Sequence, residues 1–162
     1  MSKIKLSILL LVSFFIFSCT KSQVNHSNQK YSLAYIGGEY DGLLLKNYLT
    51  GGLKNLNIHD QNSNFEIQAN ISHSTNLYIT NIDNTSDREK ISTNLSIKIT
   101  NKELDCIFFN DKIIVSQFYL YASSDKFLSN QTASKKIKKD NTESAVRQFI
   151  NKLRTIDGKC NK

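Results

Sequence analysis

From Phe65 onward the chain alternates apolar and polar side chains. Phe65, Ile67, Ala69 and Ile71 are separated by Glu66, Gln68, Asn70 and Ser72. Successive strand residues point to opposite faces, so this period predicts a strand with one wet face, which Leu77, Tyr78 and Ile79 extend. Asn81 to Asp87 is turn chemistry. Alternation resumes at Ile91, Thr93, Leu95, Ile97 and Ile99, and Asn101 to Asp105 turns the chain again. Ile107 to Phe109 and Ile113 to Tyr121 predict a last strand, bulged or interrupted at Asn110-Asp111.

Two segments have helical period instead. After a short apolar run, Tyr31 to Ile36, stopped by Gly37-Gly38, the residues Tyr40, Leu44 and Tyr48 recur on one side with Leu45 and Leu49 beside them. Gly51-Gly52 is expected to end this helix. Near the C-terminus, Ala145, Val146, Phe149, Ile150, Leu153 and Ile156 recur at helical intervals. Asp140 and Glu143 have capping-box spacing at its start, and Gly158 can close its end. Residues 122–139, rich in Ser and then in Lys, read mostly as loop. The predicted order is β-α-β-β-β-α, an α+β fold with an antiparallel or mixed four-stranded sheet packed against two helices.

The first residues follow a different rule. Lys3 and Lys5 precede an uncharged, mostly apolar run from Leu6 to Phe17, the length of a secretory h-region and short of the roughly 20 residues that span a bilayer. The run ends in Ile16-Phe17-Ser18-Cys19, the pattern of a bacterial lipobox with an unusually bulky Phe17. The expected organisation is a lipoprotein signal peptide at 1–18, a polar lipidated tether at 19–30 with Cys19 as the acylated residue, and a single domain at 31–162. Thr20, in place of Asp, favours the outer membrane by enterobacterial sorting rules. An uncut or plainly cleaved signal peptide is the alternative.

Composition modifies this picture in two ways. The net charge of +7 is carried mostly by lysine in an Asn- and Ile-rich chain, so it fits either A/T-rich codon usage or an anionic partner. In an envelope that partner is lipid phosphate rather than nucleic acid. With Cys19 acylated, Cys106 and Cys160 remain in an oxidising compartment. They are either two free thiols or a bridge whose loop of about 50 residues would contribute about 4 kcal/mol on a chain-entropy model.

No catalytic, cofactor or metal constellation emerges. His26, His59 and His73 lack metal-ligand spacing, the paired glycines match no phosphate-binding loop, and no nucleophile elbow is present. An enzyme is therefore not expected. Two basic features are candidates for contact with lipid phosphate: Arg88, at the turn into the third strand, and the cluster Lys135, Lys136, Lys138 and Lys139.

Taken in order, these segments resemble the LptE family of lipopolysaccharide-assembly lipoproteins in its divergent alphaproteobacterial form. The resemblance rests on the lipobox, on Asp41-Gly42-Leu43-Leu44-Leu45-Lys46-Asn47-Tyr48-Leu49, on the alternating strand from Phe65 and on Asp87-Arg88-Glu89-Lys90. It also rests on Ser116 to Tyr121 and on the Ala145 to Gln148 start of the closing helix. The chain lacks the Gly-Phe-x-Pro-Leu-like segment that often follows the family's acylated cysteine; it contains no proline. The resemblance implies an outer-membrane protein that plugs and helps assemble the LptD β-barrel translocon and contacts lipopolysaccharide. A generic periplasm-facing lipid- or protein-binding lipoprotein is the alternative.

Overall fold

The structure, a computed structural model, describes residues 29–79, 87–120, 126–156 and 160. Residues 1–28, expected to hold a signal peptide and the acylated Cys19, and Gly158 lie outside the described residues. The elements are β1 (Ser32–Gly37), α1 (Glu39–Asn55), β2 (Phe65–Ile79), β3 (Asp87–Asn101), β4 (Cys106–Leu120) and α2 (Phe127–Leu153). The strands lie in chain order; β1 runs parallel to β2, and β2, β3 and β4 form an antiparallel meander. The α+β class and the β-α-β-β-β-α order are as the hydrophobic pattern predicts.

Both helices cover one face of this mixed sheet. Leu45, Leu49 and Leu53 of α1 and Ala145, Val146, Phe149, Ile150 and Leu153 of α2 meet Ile67, Ala69, Leu95, Ile97 and Ile99 in one buried cluster. At full burial each of the leucines, isoleucines, valine and phenylalanine here contributes about 1.5–3 kcal/mol of apolar transfer, so the helix-covered face is where the fold is held. The turn from β1 into α1 depends on Gly38, whose φ is +122° and whose missing Cβ would lie 2.4 Å from Ile71 Cγ2.

Three local expectations are corrected. The helix expected to stop at Gly51-Gly52 continues to Asn55, because Leu53 is fully buried beyond them and Gly52 is where α1 closes on Ile150 of α2. Residues 127–139 are helix, not loop, and Asp140 sits inside α2 rather than capping it. The inward stripe of α2 runs unbroken through Asn130, Ala133, Ser134, Ile137, Asn141 and Thr142, but mostly small and polar residues occupy it, so apolar periodicity misses it. Asn141 and Thr142 are fully buried. The Asn141 amide donates to the Ile91 carbonyl (3.2 Å), and the Thr142 hydroxyl donates to the Lys138 carbonyl (2.7 Å).

The third correction is in β4. Its pairing with β3 is continuous through Asn110 and Asp111, and the irregularity falls earlier, where Phe109 faces Ile99 but Ile107 faces Thr100. Phe108 is the extra residue. A bulge of this kind reverses which side chains face inward. Cys106 and Phe108 are buried before it, and Phe109, Ile113 and Val115 turn inward after it. Both phenylalanines thereby reach the core: Phe108 packs edge-on against Phe65 (centroids 4.9 Å) and Phe109 against Phe149 (6.0 Å). Cys106 is bridged to Cys160, with Cα atoms 5.6 Å apart, which ties the start of β4 to the chain beyond α2.

Candidate functional site

The i, i+3, i+4 spacing of Lys135, Lys138 and Lys139 places them on one face of α2, toward the first turns of α1. There they line a cavity of about 680 Å³ together with Asp41, Leu44 and Asn47. Its volume is within the usual range of small-ligand pockets. The lining is mixed: three lysines, one aspartate and an asparagine alongside Leu43 and Leu44. Lys136, the fourth lysine of the cluster, is exposed and does not line this cavity.

A second cavity, of about 520 Å³, shares Asp41 and Lys138 with the first. It opens at the edge of β2 where β1 ends, since the last parallel pair is Gly37 with Asn70. Tyr35, Asn70, Ser72 and His73 supply its polar wall. His73 continues the inward phase of Ile67, Ala69 and Ile71, so its ring enters the helix-covered side with 6% of the side chain exposed. Its Nδ1 is 2.8 Å from the hydroxyl of the fully buried Thr93. Its Nε2 is 3.3 Å from Asp41 Oδ2, close enough for ion pairing when protonated, but it makes no hydrogen bond. Burial lowers the His73 pKa, and Lys138 lowers it further against the opposing pull of Asp41. The ring is therefore neutral at pH 7, with Nδ1 engaged by Thr93 and Nε2 buried against Asp41.

Arg88 stands apart from both cavities. It is exposed near the end of the β2–β3 hairpin, on the sheet face away from the helices, across from Tyr78 and Leu120. Tyr78 and Phe118 pack edge to face (5.7 Å), and the Lys90 ammonium lies 5.7 Å from the Phe118 centroid. Farther along this face, rows such as Asn70, Ser96 and Lys112 are polar. The structure thus brings together three of the five basic residues singled out in sequence and separates the other two. The reading of sequence missed Asp41, Asn47 and His73 as cavity residues. For His73 the signal was present, since its odd-numbered phase in β2 already assigns it to the apolar face.

Among the described residues no group of three or more His, Cys, Asp or Glu side chains is placed to hold a metal ion, and no helix is long and apolar enough to cross a membrane. Comparison with solved structures adds the architecture. Rare lipoprotein B from Shewanella oneidensis superposes with a TM-score of 0.64 at 11% identity, over 78% of this chain and 95% of that one. The chain has a lipoprotein's fold. A minor lipoprotein from Acinetobacter baumannii superposes at 0.61 and 12% identity, over 83% and 97% of the two chains. No protein-family model matches the chain, and no curated protein matches it in sequence.

Proposed function

We propose that this protein is an outer-membrane lipoprotein, anchored through acylated Cys19, that plugs and helps assemble an LptD-like β-barrel and assists lipopolysaccharide insertion at the cell surface. The observation that carries the reading is the agreement of two independent lines. The order of soft motifs resembles LptE, and the fold is shared with a lipoprotein, rare lipoprotein B. The sheet supports it physically. One face is left uncovered by the helices and is polar over most of its length, which suits the polar interior of a large barrel. Arg88 and the Lys135, Lys136, Lys138 and Lys139 cluster are the proposed contacts to lipid phosphate, by charge-assisted hydrogen bonds.

The deciding experiment is a pull-down from detergent-solubilised outer membrane, which should recover a β-barrel protein. Recovery of none sinks the plug and promotes a generic binding lipoprotein. Reversing all five charges should weaken lipopolysaccharide binding, more at low salt than at high, and leave the barrel complex intact. A Cys19→Ser chain should lose its acyl mass and accumulate uncut or soluble.

A further inference from the structure

Six of the eleven large apolar side chains that are exposed among the described residues gather at one end of the molecule. They are Leu77 and Tyr78 of β2, Phe118 and Leu120 of β4, and Phe127 and Leu128 at the start of α2, between 44% and 75% exposed. Here the sheet outruns its helices. In β2 the inward phase is covered at His73 but exposed at Thr75 and Leu77, so the tip is bare on both faces. Tyr78, Phe118 and Leu120 share one face, Leu77 lies on the other, and α2 begins seven residues after Leu120. Three cations stand among them. Arg88 lies across from Tyr78 and Leu120, the Lys90 ammonium is 5.7 Å from the Phe118 centroid, and Lys126 is exposed just before Phe127. An apolar patch this concentrated marks a contact surface.

Shape and composition select the partner. A protein partner reads a groove or one flat face, whereas this tip projects and is apolar on both sides, a form that a fluid layer can enclose. Aromatic rings with cations on flexible stems suit the boundary of a bilayer, where the rings lie at headgroup level and the charged ends reach lipid phosphate. We propose that this tip inserts into the headgroup–acyl boundary of a phospholipid bilayer, as a second attachment beside the acyl group expected on Cys19. The spacing permits both at once. Ser32, where β1 begins, pairs with Glu66 at the other end of β2, and the strand from Glu66 to Tyr78 spans about 40 Å. Residues 19–30 also reach about 40 Å when extended, so an acylated chain can lie along the membrane with its tip inserted. An anchor at one point leaves the domain free to swivel, and a second point fixes which side faces the bilayer. The inference goes beyond the plug and requires neither a barrel nor lipopolysaccharide.

The test uses the full acylated chain, which contains no tryptophan, in phosphatidylcholine vesicles whose acyl chains are brominated. Phe118→Trp and Leu128→Trp report on the tip, and Leu43→Trp, at a side chain 65% exposed on α1, is the control. A melting curve checks that each variant folds. Both tip variants should emit at shorter wavelength with vesicles than without. They should also lose about half their emission or more to bromine, as befits rings about 5–10 Å into the headgroup–acyl boundary, while the control keeps its own. Adding Leu120→Ser and Leu128→Ser to the Phe118→Trp chain should relieve the quenching. Equal quenching at all three positions, or none at the tip, overturns the proposal. Shielding of the tip that appears only when a β-barrel protein is added assigns it to a protein surface and overturns the proposal too. Intact mass separates this inference from the anchor. Acyl mass at Cys19 with an unquenched tip spares the anchor and sinks the insertion, and a quenched tip on a chain without acyl mass does the reverse.

Discussion

Gly52 of α1 lies directly against Ile150 of α2: a Cβ on Gly52 would stand 2.9 Å from Ile150 Cγ1, whereas a Cβ on neighbouring Gly51 would meet nothing within 4 Å. The two glycines therefore separate local preference from packing. Gly51→Ala should stabilise the domain by up to about 1 kcal/mol through helix propensity. Gly52→Ala has the same gain but forces the helices apart, at roughly 1–3 kcal/mol for overpacking, so it should be destabilising on balance. Calorimetric melting points of the two variants should move in opposite directions. A Gly52→Ala protein that gains as much as Gly51→Ala would show that the helix pair yields freely.

Phe149 is fully buried against Phe109, while Ile114 is 58% exposed on the uncovered face. Phe149→Ala should cost about 3–5 kcal/mol, and Ile114→Ala should change stability by no more than about 0.5 kcal/mol. Urea unfolding of both variants measures the contrast. A Phe149→Ala protein of unchanged stability would remove the helix-covered face from the core.

The Cys106–Cys160 bridge closes a sequence separation of 54 residues. Reduction, or a double Cys→Ser change, should lower unfolding stability by about 4 kcal/mol on the chain-entropy model. Mass spectrometry of the protein purified without reductant should find the pair oxidised. Two titratable thiols in native protein would contradict the bridge.

His73 makes the domain sensitive to acid. Its folded pKa is lowered below the ordinary value of 6.5 by burial and by Lys138, with Asp41 opposing. Its neutral form therefore contributes stability fully above pH 6.5. As pH falls from there through the folded value, the unfolded chain takes a proton that the buried ring resists, and stability declines. Thr93, Asp41 and Lys138 are the groups facing the ring. His73→Phe should flatten the loss of melting temperature between pH 7 and pH 5. An unchanged slope would place the acid sensitivity elsewhere.

What could be read from sequence was set by which residues carry the fold. Ile67 to Ile71 alternate without exception, and Ile91 to Ile99 break only at the inward-facing Thr93, so strand identity and facing were plain. The N-terminal half of α2 was not, because Asn130, Ser134 and Asn141 occupy inward positions that apolar periodicity leaves blank. The bulge at Phe108 was misplaced toward Asn110-Asp111 because those residues favour turns, whereas the pair Phe108-Phe109 supplied what both faces of the kink needed. The lysines of the cavity were visible as a cluster. Their partners Asp41 and His73 come from two other elements, and only the folded chain brings the three together.

Asn141 has a consequence beyond its own hydrogen bond. The apolar stripe of α2 determines which side of the helix meets the sheet, and the buried amide adds a fixed height along the helix axis. A displacement by one turn, about 5.4 Å, would strand the buried amide away from the Ile91 carbonyl and cost roughly 1–3 kcal/mol. The amide thus works as a detent that indexes α2 along β3. Lys135, Lys138 and Lys139 precede it by less than two turns, so their height opposite Asp41 and Asn47 is indexed with it. A side chain that does not line the cavity sets the spacing of the charges that do.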